Sequence, residues 1–181
     1  MMAFRKYIDG LVEAAQKERS LAYKAAVGIL GALAFIILVP AFFFIIAYGL
    51  DKYVLADRAR LLELGIGGVS AIVGMFFMAW SVLTFITIGK GTAVPIAPPR
   101  KIVVSGPYRL CRNPMLLGAI LYYLGVGVYF GSLRIGVIMF LFSLIIGSCY
   151  IKLIEEQELQ IKFGADYLEY KRRTPFLVPK L

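Results

Sequence analysis

The sequence of 181 residues contains no histidine and only two cysteines, Cys111 and Cys149. Without histidine, the common zinc and non-haem iron sites are not expected, and the usual imidazole general base is missing. Two cysteines this far apart match no zinc pattern, and a disulfide cannot be inferred from sequence. We therefore predict no metal site, and any chemistry has to use carboxylates, tyrosines, backbone groups or a bound cofactor.

Charged residues are also scarce, at 17% of the chain against roughly 25% in ordinary soluble domains. The hydrophobic share is 60% and the mean hydropathy is +0.80. Together with unbroken apolar runs, this composition predicts an integral membrane protein. The net charge is +9, which we attribute to basic loops that orient membrane helices and contact anionic lipid. Nucleic acid is therefore not an expected partner.

Four apolar stretches predict an all-α, polytopic bundle of about four transmembrane helices. They cover residues 25–50, 64–88, 115–133 and 135–154. The third and fourth should form an antiparallel hairpin, and Pro40 should kink the first. Glycines 65, 67, 68 and 74 predict close packing of the second helix.

We treat the chain as one membrane domain. Residues 1–24 form a predicted interfacial amphipathic helix, 25–88 the first two membrane helices, and 89–181 a core with a C-terminal helix and tail. The first 20 residues are charged throughout, which is unlike a cleaved signal peptide, so the first apolar run should stay as an anchor.

Lysine and arginine are distributed asymmetrically. Sixteen lie in the N-terminal segment, the loop between the second and third helices and the C-terminal region, and four lie in the other two loops. This pattern predicts that both termini and that middle loop are cytoplasmic, in a cell inner membrane. The middle loop and the C-terminal tail could therefore form a joint site.

The middle loop, GKGTAVPIAPPRKIVVSGPYRLCRNPM, has five basic residues and no acidic ones. Its prolines stiffen the chain, SGPY predicts a turn, and Asn113 is a candidate N-cap with Pro114 at the first helical position. A helix start flanked by Arg109 and Arg112 would suit a carboxylate or phosphate. The alternative is a basic loop that only caps the third helix.

Glu155 and Glu156 follow the fourth apolar stretch directly. Carboxylates near a membrane boundary are costly unless paired or wetted. One interpretation is a simple i,i+4 pair between Lys152 and Glu156. The other is a carboxylate that holds the amine or ribose hydroxyls of a cofactor. The tail that follows places Tyr167 and Tyr170 on one side of a short helix, as an aromatic belt or as a lid.

These segments, in this order, resemble the family of isoprenylcysteine carboxyl methyltransferases and phospholipid methyltransferases. The resemblance covers residues 92–179. The matching residues are Gly106, Pro107, Tyr108, Arg112, Asn113, Pro114, Met115, Glu155, Glu156, Phe163, Gly164, Tyr167, Tyr170 and Pro175. Asn113 stands where the family usually has histidine, and Leu116 where it usually has tyrosine. Ile151 occupies the position of the family's substrate-side arginine, next to Lys152.

The resemblance implies transfer of a methyl group from S-adenosyl-L-methionine, leaving S-adenosyl-L-homocysteine, at the cytoplasmic membrane face. The acceptor would be a membrane lipid or a lipidated small molecule or protein, isoprenylcysteine carboxylate-like or phospholipid-like. The implied cofactor contacts are Arg100, Lys101, Ile102, Val103, Tyr108, Asn113, Pro114, Met115, Leu116 and Glu155. Glu156 would take a proton from an amine acceptor, and Lys152 and Arg112 would face the substrate. The alternative is a non-catalytic four-helix membrane scaffold or a degenerate relative.

Overall fold

The computed structural model describes residues 20–51, 60–89 and 102–180, and this part of the chain contains helices and no strands. The elements in order are α1 (Leu21–Leu33), a π-helical segment (Ala34–Leu38), α2 (Val39–Asp51), α3 (Arg60–Gly89), a 3₁₀ turn (Gly106–Arg109), α4 (Pro114–Phe130), α5 (Leu133–Tyr150), a second π-helical segment (Ile151–Glu155) and α6 (Glu156–Arg173). The prediction of an all-α fold is confirmed. The predicted interfacial helix falls almost wholly on residues 1–19, outside the described residues.

Within the described residues, three continuous helical stretches are long and apolar enough to cross a membrane: Ala26–Asp51, Leu61–Gly89 and Leu133–Arg173. Helix α4 is apolar but shorter, at 17 residues. The stretch from Leu133 has 41 residues, which is about 60 Å of helix and about twice the thickness of a hydrocarbon core. Its spanning part is therefore the apolar helix α5, and the charged residues from Glu155 onward lie beyond it.

The described residues group into two compact units. The first contains residues 20–32, 80–89, 102–114 and 149–180, and the second contains residues 33–51, 60–79 and 115–148. Most of the predicted site residues belong to the first unit, and the second consists mainly of packed membrane helices.

In the second unit, Pro40 lies near the start of α2, where the first predicted membrane helix departs from regular α-helix. Proline has no N–H group, so the usual backbone bond to the carbonyl of Ile36 cannot form, and the turn before Pro40 is π-helical. Two tyrosine hydroxyls from α4 donate hydrogen bonds to the carbonyls there, from Tyr123 to Phe35 over 2.8 Å and from Tyr122 to Ile36 over 3.1 Å. Polar side chains of one helix thus satisfy backbone groups of another where no water is present.

Close packing of α3 depends on two of its glycines. A Cβ atom on Gly67 would lie 2.7 Å from the backbone nitrogen of Tyr129, and Gly74 meets the backbone of α4 still more closely. The backbones can approach this far only because both positions lack a side chain. The predicted role is confirmed for Gly67 and Gly74, whereas Gly65 and Gly68 face open space.

The predicted hairpin between α4 and α5 is present, and residues 131 and 132 connect the two helices. The predicted boundaries were wrong here: α4 ends at Phe130 rather than at Leu133, and α5 begins at Leu133. The physical reason is capping, which satisfies the free N–H groups at the start of α5. The Ser132 hydroxyl accepts from the N–H of Ile135 at 3.3 Å, and a Glu63 oxygen accepts from the N–H of Leu133 at 3.0 Å.

The last helical stretch continues far beyond the predicted end at Ile154. It passes through the second π-helical segment into α6 and reaches Arg173. Gly164 forms a break within this stretch, with φ 53° and ψ −123°, a conformation that glycine adopts at little cost. Tyr167 and Tyr170 follow it with ring centres 6.5 Å apart, on one side of the helix as predicted.

Candidate functional site

In the first unit, the C-terminal tail runs back along the loop that precedes α4. The backbone N–H of Arg112 donates to the carbonyl of Pro175 over 2.8 Å. The side-chain nitrogen of Asn113 donates to the carbonyl of Phe176, also over 2.8 Å. Asn113 lies directly before the first helical residue, as predicted, and its amide fixes the tail. The predicted convergence of loop and tail is therefore present.

Glu156 joins this loop to both ends of α6. Its Oε1 atom lies 2.7 Å from Nη1 of Arg112, and its Oε2 atom pairs with the ammonium group of Lys171. The Glu156 and Arg112 side chains are both buried, so water screens this pair little, whereas the Lys171 side chain is partly exposed. The interpretation of a local pair with Lys152 was wrong, because the Lys152 ammonium nitrogen instead lies 5.0 Å from the centre of the Phe176 ring.

Arg112 also has an unused donor. One of its nitrogens binds Glu156, and its guanidinium carbon lies 5.7 Å from the centre of the Phe176 ring. The Nε atom is buried and has no hydrogen-bond partner among the described residues. A buried donor without an acceptor is costly, which makes this nitrogen a candidate contact for an anionic group.

Glu155, the other residue of the glutamate pair, differs from Glu156 in its contacts. It is half-buried, and no hydrogen bond or ion pair within the described ranges engages it. Burial, and then the nearby Glu158 and Glu156 carboxylates, raise the pKa of Glu155 to about 7. A shift of this size, from burial and specific neighbours, is typical of functional sites.

Tyr108 lies next to this carboxyl. Burial, and then the Glu155 charge, raise the pKa of Tyr108, so the phenol keeps its proton at neutral pH. Its ring centre is 6.2 Å from that of Phe85, and its carbonyl accepts a 2.7 Å hydrogen bond from the Tyr170 hydroxyl. The turn before it requires Gly106, which has φ 60° and whose Cβ would lie 2.9 Å from Oγ1 of Thr84.

The extended run that the resemblance assigns to the cofactor is described only in part. Ile102 and Val103 precede the 3₁₀ turn without regular secondary structure, and Val103 is buried. Arg100 and Lys101 lie outside the described residues.

The remaining predicted contacts lie at the start of α4. Pro114 is its first residue, as predicted, and is fully buried. Met115 and Leu116 belong to the second unit. There, the Leu116 side chain packs over Gly147 of α5, which has no side chain to oppose it.

Sequence reasoning missed Lys171 and Phe176. Lys171 lies 15 residues after Glu156, which in a straight helix would separate them by about 22 Å. The break at Gly164 redirects the end of α6 and allows the pair to form. The glycine was a visible signal, but a sequence does not give the direction of the turn.

Comparison with known proteins agrees with these motifs. The sequence model of the family described as phospholipid methyltransferase matches residues 65–166. The cobalt-zinc-cadmium resistance protein CzcN of Cupriavidus metallidurans is 34% identical over 122 residues, which are 67% of this chain and 50% of that protein. Methanethiol S-methyltransferase 2 of Bradyrhizobium diazoefficiens is 32% identical over 77 residues, 41% of this chain and 27% of that protein. The chain thus spans half or less of these relatives' lengths, and no solved structure matches it.

Proposed function

Since the chain belongs to the phospholipid methyltransferase family, we propose that it is a membrane enzyme that transfers a methyl group from S-adenosylmethionine to a hydrophobic or lipid-attached acceptor. The single observation that carries this proposal is the state of Glu155. Its carboxyl has no partner in the described residues, while Glu156 beside it is bound by Arg112 and Lys171. Glu156 is thus held by ion pairs within the protein, whereas the Glu155 carboxyl could bind a ligand.

The residues present fit the amino-acid end of this methyl donor. Glu155 would hold its amine or its ribose hydroxyls, and the unused Nε donor of Arg112 would suit its carboxylate. Tyr108, held in its protonated form, can donate a hydrogen bond. The family resemblance adds the further contacts Arg100, Lys101, Ile102, Val103, Asn113, Pro114, Met115 and Leu116.

When bound, the cofactor would supply a methyl group that is already electrophilic, so the protein's task is to align the reactants and exclude water. Glu156 is our proposed proton acceptor for an amine substrate. To accept a proton, it would have to release Arg112 or Lys171. Lys152 is exposed at the same end of α6, where its ammonium group could contact an anionic headgroup.

We place the site at the cytoplasmic face of the inner membrane, with both termini on that side, because basic residues are concentrated in those segments. Residues 89–181 would form the catalytic core and residues 25–88 the first two membrane helices. The family description supports a phospholipid-like acceptor. The name of the Bradyrhizobium relative records methylation of a thiol in that protein, so a thiol acceptor is a second candidate.

Calorimetric titration of S-adenosylhomocysteine into the detergent-solubilised protein tests the proposal. We expect binding with a micromolar dissociation constant, at least about tenfold weaker for Glu155→Gln because one charge-assisted hydrogen bond is lost. Glu169→Gln is the control, because Glu169 is half exposed on the same helix and its ion pair is with the exposed Arg173. Absence of binding to the wild-type protein would support the alternative, a non-catalytic membrane scaffold.

A further inference from the structure

Two charged side chains one turn apart on α6 have buried atoms that make no hydrogen bond in the described part of the chain. These atoms are Oε1 of Glu158 and the ammonium nitrogen of Lys162. Glu158 is only 5% exposed. Neither residue was among the sequence-predicted site residues.

The absence of a bond between them is unusual. A glutamate four residues before a lysine is the favourable order for an ion pair on a helix. Yet no ion pair or hydrogen bond joins Glu158 to Lys162 within the described ranges, and the Lys162 nitrogen lies 5.6 Å from the centre of the Phe163 ring. The two charges attract each other, but neither buried atom makes a hydrogen bond within the described residues. Leaving buried charged atoms without hydrogen bonds costs free energy, so a ligand that supplies those bonds would be favoured.

A comparison with Glu63 supports this view. Glu63 also has a buried oxygen without a partner, but its other oxygen accepts from the N–H of Leu133 at the start of α5. That contact gives Glu63 a structural purpose. Glu158 has no such contact, and its carboxylate neighbour Glu155 repels it.

We propose that Glu158 and Lys162 together bind a zwitterionic group, with its ammonium on Glu158 and its carboxylate or phosphate on Lys162. A cation alone would leave Lys162 unsatisfied, and an anion alone would leave Glu158 unsatisfied. One zwitterion satisfies both and adds no net charge. Side chains one turn apart have Cβ atoms about 5–6 Å apart, which allows both to contact a ligand whose two charges are a few bonds apart.

This inference rests on the proposed function, which offers two sources of such a group. One is the amino-acid end of the methyl donor, whose ammonium has three donors and could contact Glu155 and Glu158 together, while its two carboxylate oxygens contact Arg112 and Lys162. The other is a zwitterionic lipid headgroup at the membrane surface. The chemistry that the pair recognises is the same in both cases, and the two sources can be separated by experiment.

The first arm of the test uses Glu158→Gln and Lys162→Gln, with Glu169→Gln as the surface control on the same helix. S-adenosylhomocysteine is titrated beside methylthioadenosine, which keeps the nucleoside but lacks the amino-acid end. If the pair holds that end, both variants bind S-adenosylhomocysteine about ten- to a hundredfold more weakly, while their affinity for methylthioadenosine equals that of the wild type.

The second arm titrates short-chain phosphatidylethanolamine, and phosphatidylglycerol of the same chain length, which has no ammonium group. If the pair holds a headgroup, the thermal shift given by phosphatidylethanolamine is lost in both variants, and the response to phosphatidylglycerol is unchanged in Glu158→Gln. Wild-type affinity of both variants for both zwitterionic ligands overturns the inference. Failure of the wild type to bind S-adenosylhomocysteine refutes the proposed function instead, and the lipid arm still decides this inference.

Stability without ligand separates binding from a structural role. A buried amide is less costly than a buried unpaired carboxylate, so ligand-free Glu158→Gln should unfold at the same or a higher temperature than the wild type. A lower unfolding temperature together with unchanged binding of both zwitterionic ligands would assign the pair to the fold and overturn the inference.

Discussion

Arg112 and Glu156 are separated by 44 residues in sequence, and their side chains form an ion pair of 2.7 Å. This contact links the loop before α4 to the start of α6, and Lys171 extends it to the end of the same helix. Glu156 is therefore the point at which the three segments that carry the family motifs are tied together. Its neighbour Glu155 lies beside this junction and has no hydrogen-bond or ion-pair partner among residues 20–51, 60–89 and 102–180.

Replacing Glu156 with glutamine should destabilise the protein substantially. The change leaves the Arg112 guanidinium buried without a counter-charge, and removing one partner of a buried pair costs about 3–5 kcal/mol. We place the loss toward the lower end, because the Lys171 side chain is 38% exposed and water can partly replace its partner. The thermal unfolding midpoint in detergent measures this effect, with Glu169→Gln as the surface control. Equal midpoints for the two variants would contradict the assigned role of Glu156.

Cofactor affinity should depend on pH through Glu155. Its pKa is raised to about 7, and only the ionised carboxylate can bind an ammonium group. The fraction of Glu155 that is ionised therefore grows as the pH rises. The affinity for S-adenosylhomocysteine should increase about tenfold from pH 6 to pH 8. The same titration with Glu155→Gln should give a nearly flat profile. A variant that keeps the wild-type slope would place the titrating group elsewhere.

The two kinds of glycine on α3 should respond differently to a methyl group. Gly74→Ala places a Cβ against the backbone of α4, so the helices have to separate and the protein should lose about 1–3 kcal/mol of stability. Gly68→Ala on the same helix meets open space and should be neutral or stabilising. Thermal unfolding of both variants in one detergent provides the comparison. An equal response of the two would show that helix contact does not distinguish them.

Gly164→Ala should disturb the site from a distance. The backbone there has φ 53° and ψ −123°, which a residue with a Cβ adopts only at a cost of about 1–3 kcal/mol. Because this break allows Lys171 to reach Glu156, the substitution should also weaken S-adenosylhomocysteine binding severalfold. Calorimetry combined with thermal unfolding tests both effects. Wild-type behaviour in both measurements would mean that the break is not needed for the site.

The membrane helices could be predicted closely from sequence. The length of an apolar run and the position of a proline determine local helix structure. The helical hairpin, the start of α4 at Pro114 and the disturbance at Pro40 were all predicted. The start of α5 at Leu133 was not, since it depends on capping by Ser132 and by Glu63 from another helix. A cap supplied by a distant helix cannot be recognised in the local sequence pattern.

The sequence predicted which residues belong to the candidate site better than it predicted the contacts between them. The motifs identified Tyr108, Asn113 and the glutamate pair, and the structure brings them into one unit. Which partner each glutamate takes could not be read from spacing. The spacing offered Lys152 as a partner of Glu156, whereas the structure pairs Glu156 with Arg112 and Lys171. The contact with Lys171 depends on how the chain turns at Gly164.

The most direct test of the central claim is methyl transfer by the purified protein in lipid nanodiscs. The protein is incubated with S-adenosylmethionine labelled in its methyl group and with extracted membrane lipid, and the label in the lipid fraction is then counted and identified. The account predicts labelled lipid with the wild type and with Glu169→Gln, and at least a tenfold loss with Glu155→Gln. A wild-type protein that transfers no label, although extracted lipid of every class is supplied, would contradict it.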